Sequence, residues 1–377
     1  MNDIAIVVTA FNRASALRNL LNSLERIRCN REITLVISID NHGTEEVNEV
    51  ANKFEWQHGK KEVIVHNEKL GLRNHFIWAG DQTYRFENVI FLEDDLVVSP
   101  EIINFSKSAI EYYKNDNAVA GICLYNPILC EFNGCKFYQN QDGFDIYFLQ
   151  HPYWGNIWSK EKWNDFKNWL PTYKHNPSLI PRAVSNWRET SFKKVYIQYL
   201  VEKEKYIVVP RISLVTNNGE AGLHNSDGLY QYQTVLMNEY TEYRFCRIEE
   251  SKSVYDVYME IRPEILKYYN DDLKKYDFEV DLKGNKHFYT KDYVLTTRPT
   301  KNRILEFSSL MKPDENGVIY KSAGTGISLC KSDDVLITRA YDNSLMFTDV
   351  DKNYHVRIKT AILMLKAAII KRIRRTL

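Results

Sequence analysis

The chain has 377 residues, 44% hydrophobic and 13% aromatic, enough to bury a substantial core in two or three domains or one enlarged one. A formal net charge of +1 argues against a surface built for nucleic acid, so none is expected as a partner. The six cysteines (29, 123, 130, 135, 246 and 330) form no CxxC pair, which argues against a zinc site and makes a reduced, cytosolic setting the expectation.

The chain starts on the strand pattern Ile4-Ala5-Ile6-Val7-Val8, with no basic stretch, apolar run and cleavage site, so no secretory signal is expected. No run reaches the roughly 18 apolar residues of a membrane span. Strand-like runs follow at 4–11, 34–40, 63–67, 88–93 and 118–124. Between the first two, Leu17, Leu20, Leu21, Leu24 and Ile27 recur at helical spacing over Ser15 to Ile27. Alternating strands and helices predict a mostly parallel sheet covered on both faces. Ligands of such sheets sit beyond the carboxyl ends of the strands. Three polar signals fall there: Thr9 to Arg13, Asp40-Asn41 and Glu93-Asp94-Asp95.

The last of these is the sharpest. The apolar strand Val89 to Leu92 runs into three carboxylates and resumes as Leu96-Val97-Val98. Crowded acids that lose hydration need a cation, unless the turn lies open to water. A hard divalent ion, Mn²⁺ or Mg²⁺, is the simplest candidate, and such ions usually also hold substrate phosphates. The chain has no GxxxxGK[ST] and no GxGxxG after the first strand, so P-loop and dinucleotide chemistry are not expected. A nucleotide-diphosphate donor, with the diphosphate as leaving group, fits what is left.

From about 130 to 245 the sequence is richer in Trp, Tyr, Asn and Pro, with strand-like runs at Tyr206 to Val209 and Ile212 to Val215. Residues 250–350 are mixed, with turn signals at 283–285 and 315–317. Residues 355–377 carry seven Lys or Arg and no acid, with Ile358, Ile362, Leu365, Ile369, Ile370 and Ile373 largely at helical spacing. That is the pattern of a basic amphipathic helix at a membrane surface, or of one docked on its own domain.

Val7-Val8-Thr9-Ala10-Phe11-Asn12-Arg13, Ile37-Ser38-Ile39-Asp40 and Phe91 to Pro100 together resemble GT-A-fold glycosyltransferases. The likeness is to the N-acetylglucosaminyltransferase I group and to bacterial polysaccharide glycosyltransferases, and it spans roughly residues 4–225. His151-Pro152-Tyr153-Trp154-Gly155-Asn156-Ile157-Trp158, then Lys162-Trp163, looks like that group's acceptor-side segment. The resemblance implies a Rossmann-like GT-A domain over 1–248, with a nucleotide half (1–125) and an acceptor half (126–248). A mixed α+β region of unknown role (249–354) and the basic helix (355–377) follow.

By the same resemblance, Asp95 coordinates the metal, and Glu93 and Asp94 contact the donor sugar and ribose. Asp40 takes a hydrogen bond from the base, and Thr9, Phe11 and Arg13 line the nucleotide pocket. His224, in a Gly-rich loop, completes the metal site or touches the diphosphate. The chemistry asks for a further cation near the phosphates, and Arg73 is the candidate. Inverting transfer needs a carboxylate base. The group uses an Asp just before a Trp; here that position is Asn186, in Ser185-Asn186-Trp187-Arg188-Glu189, and an amide is no base. Glu189 is the substitute, on the same face as Asn186 if the segment is helical. Tyr153, Trp154 and Trp158 are the candidate sugar-stacking faces, and Trp163 reads as core.

The expected function is metal-dependent, inverting transfer from a nucleotide sugar, most simply a UDP-sugar. The expected acceptor is a saccharide, lipid-linked at the cytoplasmic face of the cell membrane, in bacterial surface polysaccharide synthesis. The alternatives are a sugar-nucleotide nucleotidylyltransferase, which should carry a Gly-rich loop that Thr9 to Arg13 lacks, and a non-catalytic, membrane-associated carbohydrate-binding protein.

Overall fold

The computed structural model describes residues 3–219, 230–240 and 242–338, together with 362, 365, 366 and 369. Its first part alternates as expected: β1 (Ile4–Ala10), α1 (Ala14–Leu24), β2 (Thr34–Ile39), α2 (Glu45–Lys53), β3 (Lys61–Val65), α3 (Gly71–Asp81) and β4 (Asn88–Glu93). Every residue of β1 is buried, as a strand covered on both faces must be. The apolar stripe of α1, from Leu17 to Leu24, is its buried face.

The chain continues through β5 (Leu96–Val98), α4 (Ile102–Tyr113), β6 (Val119–Cys123), β7 (Ile146–Leu149), β8 (Asn156–Ser159), α5 (Lys160–Trp169), α6 (Arg182–Ser185), α7 (Phe192–Glu202), β9 (Tyr206–Pro210), β10 (Val215–Asn217) and β11 (Val254–Tyr255). Nine strands form one sheet in the order β11-β7-β9-β6-β8-β4-β1-β2-β3. Strands β1, β2, β3, β4, β6 and β9 run one way, and β7, β8 and β11 the other. The sheet is mostly parallel; its antiparallel pairings are β4 with β8, β6 with β8 and β7 with β9.

The strand order reverses at β1. From β1 the chain steps outward to β2 and β3, then returns to lay β4 on the other side of β1. Right-handed crossovers therefore put α1 and α2 on one face and α3 on the opposite one. Their packing agrees: α1 meets α2, while α3 meets α7, which also meets α5. The crevice at the carboxyl ends of β1 and β4 is the switch point where open α/β sheets bind ligands. Gly80 allows the close approach on the α3 side, because a Cβ there would fall 2.2 Å from the Trp163 ring.

The C-terminal part adds α8 (Pro263–Tyr269), β12 (Phe278–Asp281), β13 (Tyr293–Thr296), β14 (Leu305–Phe307), α9 (Glu315–Ile319) and β15 (Ile327–Lys331). These strands make a second sheet, ordered β12-β13-β15-β14. Phe278, Leu295 and Ile327 share one continuous core with β1, and β11 pairs with β7 in the large sheet. Arg298 and Asp281, both fully buried, bond at 3.1 Å inside this sheet.

Two local expectations need correction. The run Ile212 to Val215 is strand only from Val215, because pairing with β5 begins there. The signal at 315–317 is not a turn but the start of α9. The basic tail lies outside the described residues apart from Ile362, Leu365, Lys366 and Ile369, which are helical and exposed. Among the described residues no helix is long and apolar enough to cross a membrane.

Candidate active site

Thr9 and Glu93 are register partners at the ends of β1 and β4, so Thr9 to Arg13 and Glu93 to Asp95 leave the sheet side by side. Arg13 caps α1 and turns its guanidinium onto the acids. It donates from Nη1 to Asp95 Oδ2 at 2.8 Å and from Nη2 to Asp94 Oδ1. The cation demanded by the acidic triplet is thus partly supplied by the chain itself. Burial opposes a charged guanidinium, yet Asp95 and Asp94 hold Arg13 protonated beyond its ordinary range.

One cation does not balance three acids. Burial, with Asp95 adding repulsion, pushes the Glu93 carboxyl up to about 8 although Glu93 keeps some solvent access. Burial likewise pushes Asp94 up to about 6, against the pull of Arg13. Asp95 Oδ1 is buried and accepts no hydrogen bond among the described residues. An orphaned carboxylate oxygen in a crowded acidic turn lacks a positive partner. Among the described residues no three His, Cys, Asp or Glu are spaced to enclose a metal alone, so other ligands would have to come from donor phosphate and water.

Asp95 is also tied to the chain beyond β10. Its carbonyl accepts from the Asn218 amide at 2.8 Å, while β10 pairs with β5 just after the acids. His224 lies outside the described residues.

The candidate nucleotide-side residues sit at the ends of β1 and β2. Phe11 is half-buried, with Lys69 Nζ 5.8 Å from its ring centre. Asp40 is buried and accepts from the amides of Leu70 and Gly71, at 2.7 and 2.9 Å, and from that of Asn41 at 2.8 Å. It anchors the turn into α3, and any bond to a base would be additional to these three. Beneath it, Ser38 Oγ sits between His66 Nε2 and His75 Nε2, at 2.8 and 2.7 Å. Burial keeps both imidazoles neutral, with His75 pulled down to about 4.

Arg73 does not point to the acids. Its Nη2 lies 3.4 Å from the Ser191 carbonyl at the start of α7, so the cation at the acids is Arg13. Asn186 ends α6 and is exposed, and Glu189 lies in the turn before α7 rather than one helical turn from Asn186. The Glu189 side chain is 74% exposed and paired with Lys194 at 2.7 Å.

The aromatic candidates separate by burial. Trp158 is 1% exposed and stacked on Phe91, with ring centres 5.6 Å apart. It is core and offers no face to a sugar, which corrects the stacking expectation. Trp163 is core too, its Nε1 donating to Asp81 Oδ1 at 2.8 Å. Tyr153 is buried beneath Lys193, whose Nζ sits 4.3 Å from its ring centre. Trp154 stays half-buried against Tyr125 and Tyr232.

Sequence reasoning missed the group around Lys193. This residue, in the first turn of α7, bonds Glu131, which also meets His151 Nε2 at 2.9 Å. The three come from separate parts of the chain, and no spacing joins them.

With this geometry in view, residues 1–134 match the model of the GNT-I family. Over these residues the chain is similar to glycosyltransferases of that kind, as the resemblance of its acidic strand end implied. Among solved structures, it resembles residues 1–349 of TarS from S. aureus in complex with UDP-GlcNAc, at 14% identity and a TM-score of 0.40. That match covers 59% of this chain and 60% of the other, less than two thirds of its length. The mannosyltransferase PcManGT from Pyrobaculum calidifontis, in complex with GDP-Man and Mn²⁺, is similar at 12% identity and a TM-score of 0.31, over 42% of this chain and 45% of that one. No curated protein matches the sequence.

Proposed function

We propose that this protein is a metal-assisted glycosyltransferase that moves a sugar from a nucleotide-diphosphate donor to a saccharide hydroxyl with inversion. The observation that carries this reading is the orphaned Oδ1 of Asp95 at the sheet's switch point, beside two carboxyls that burial pushes up. These residues fit a divalent cation: Asp95 would hold Mn²⁺ or Mg²⁺, and the ion would neutralise the leaving diphosphate. Thr9, Phe11 and Asp40 bound the nucleotide side. Arg13, about a quarter exposed, is placed to face the phosphates while restraining Asp94 and Asp95. Glu93 and Asp94 face the sugar and ribose, and Trp154 is the aromatic left open on the acceptor side.

The donor class is a UDP-sugar and the acceptor a saccharide, lipid-linked at the cytoplasmic membrane face, in bacterial surface polysaccharide assembly. The basic pattern of 355–377 supports that placement, and Ile362, Leu365 and Ile369 are exposed helical positions. Deleting 355–377 is expected to abolish flotation with anionic vesicles; unchanged flotation contradicts the membrane placement.

The activity is tested by nucleotide release from UDP-GlcNAc, UDP-glucose, UDP-galactose and GDP-mannose with Mn²⁺ and no acceptor. Slow release from one donor, lost in Asp95→Ala, is expected. Pyrophosphate release from a nucleoside triphosphate and a sugar 1-phosphate would mark a nucleotidylyltransferase instead. Release from no donor would contradict the transferase.

A further inference from the structure

An inverting transfer needs a carboxylate where the acceptor hydroxyl meets the anomeric carbon. Asn186 has none, and Glu189 points to solvent in the grip of Lys194. A different carboxylate, Glu131, is linked to the acidic triplet through Lys193. Lys193 carries the connection: it bonds Glu131 Oε2, and its charge also acts on Glu93. The Glu131 and Lys193 side chains are 28% and 26% exposed, so both reach solvent.

Behind Glu131 the site is closed. His151 is fully buried among Phe132, Tyr153 and Trp187, and burial holds its imidazole neutral, down at about 4. A neutral ring carries one N–H. Donating it from Nε2 to Glu131 leaves a bare lone pair on Nδ1, which agrees with Nδ1 having no partner among the described residues. The His151 and Lys193 bonds both fall on Oε2, and Oε1 takes part in neither. The carboxylate is anchored through one oxygen.

We propose that Glu131 is the general base of the transfer, with His151 and Lys193 as the residues that position it and a sugar hydroxyl as its substrate. This rests on the transferase reading. The hydroxyl oxygen forms its bond to the anomeric carbon as the bond from that carbon to the diphosphate oxygen breaks. The bonding pair leaves with the diphosphate, and the hydroxyl proton passes to Glu131 Oε1.

Although burial works the other way, Lys193 and His151 hold the Glu131 carboxyl down at about 2. It is therefore ionised whenever the enzyme works. A weak base suffices when bond formation runs ahead of proton transfer, because the attacking oxygen is by then strongly acidic. Lys193, His151, Tyr153, Tyr125 and Tyr232 are titratable groups around it.

The test uses the full chain with Mn²⁺ and the donor that wild type hydrolyses, following nucleotide release and, separately, the shift in melting temperature given by UDP with Mn²⁺. Glu131→Gln is expected to release nucleotide about 100-fold more slowly while keeping that shift. Glu131→Asp should keep partial turnover. Lys193→Met should move the acid limb of the kcat/KM profile to higher pH, because the carboxylate loses a stabilising charge. Wild-type turnover in Glu131→Gln overturns the inference, as does a loss confined to Glu189→Gln, and either leaves the transferase standing. If wild type neither binds UDP nor turns over a donor, both fall together.

Discussion

The two sides of the cleft are built differently. The proposed donor side comes from the ends of two adjacent strands, and its parts are contiguous: Thr9 to Arg13, and Glu93 to Asp95. The proposed acceptor side gathers Glu131, His151 with Tyr153, and Lys193 from three places in the chain. Their electrostatics also differ. Three acids meet one arginine at the acidic turn, where burial pushes Glu93 and Asp94 up and Asp95 Oδ1 has no hydrogen bond among the described residues. On the acceptor side one carboxylate is matched by a lysine and a histidine and held down. The first arrangement is short of a cation. The second is complete and can position a single oxygen.

The largest effect that would break this comparison concerns Trp158. As core it should cost about 3–5 kcal/mol of unfolding free energy when changed to alanine, read by urea denaturation. A stable Trp158→Ala with impaired acceptor binding would return the residue to the acceptor face.

The next effect is a pH dependence on the donor side. His75 has its folded value lowered from 6.5 to about 4, so its stabilisation is present above the unfolded value and is lost as pH falls from about 6.5 towards 4. That loss is roughly 3 kcal/mol. Melting curves across this range should be flatter for His75→Gln than for wild type.

Arg13→Met leaves Asp94 and Asp95 without their guanidinium and should cost about 2 kcal/mol. Mn²⁺ should recover part of the loss in the variant and add less to wild type, where Arg13 already offsets part of the acids' charge. Equal metal effects in both would mean that the arginine and the cation do not share the acids.

Trp154→Ala, with a half-buried side chain, should change stability by about 1 kcal/mol or less. Its effect should appear in saturation by acceptor saccharide instead.

The donor half was legible because its strands are long enough to show their pattern. The run at 88–93 is β4 itself, and 4–11 and 34–40 each overrun by one residue. Helix α1 was readable from Leu17, Leu20, Leu21 and Leu24, all of which it buries. Strands β5, β7, β8 and β10 have three or four residues, too few to establish a period. In the C-terminal sheet, buried charges such as Arg298 and Asp281 sit where the pattern would call for apolar residues.

The site divides along the same line. The acidic triplet announced a need for positive charge, but only the fold showed Arg13 supplying some of it while Arg73 turns towards α7. Composition cannot separate an exposed aromatic from a buried one, so Trp154 and Trp158 looked alike four residues apart.

The most direct measurement of the central claim is the melting temperature of wild type and Asp95→Ala with UDP, GDP, CMP and dTDP, each with and without Mn²⁺. A ligand at 100 times its Kd adds about 2.7 kcal/mol, a shift large enough to read. Stabilisation by one nucleotide, present only with metal and lost in Asp95→Ala, is the expected result. Stabilisation by none of them, or equal stabilisation without metal and in Asp95→Ala, would contradict a metal-assisted donor site at this strand end.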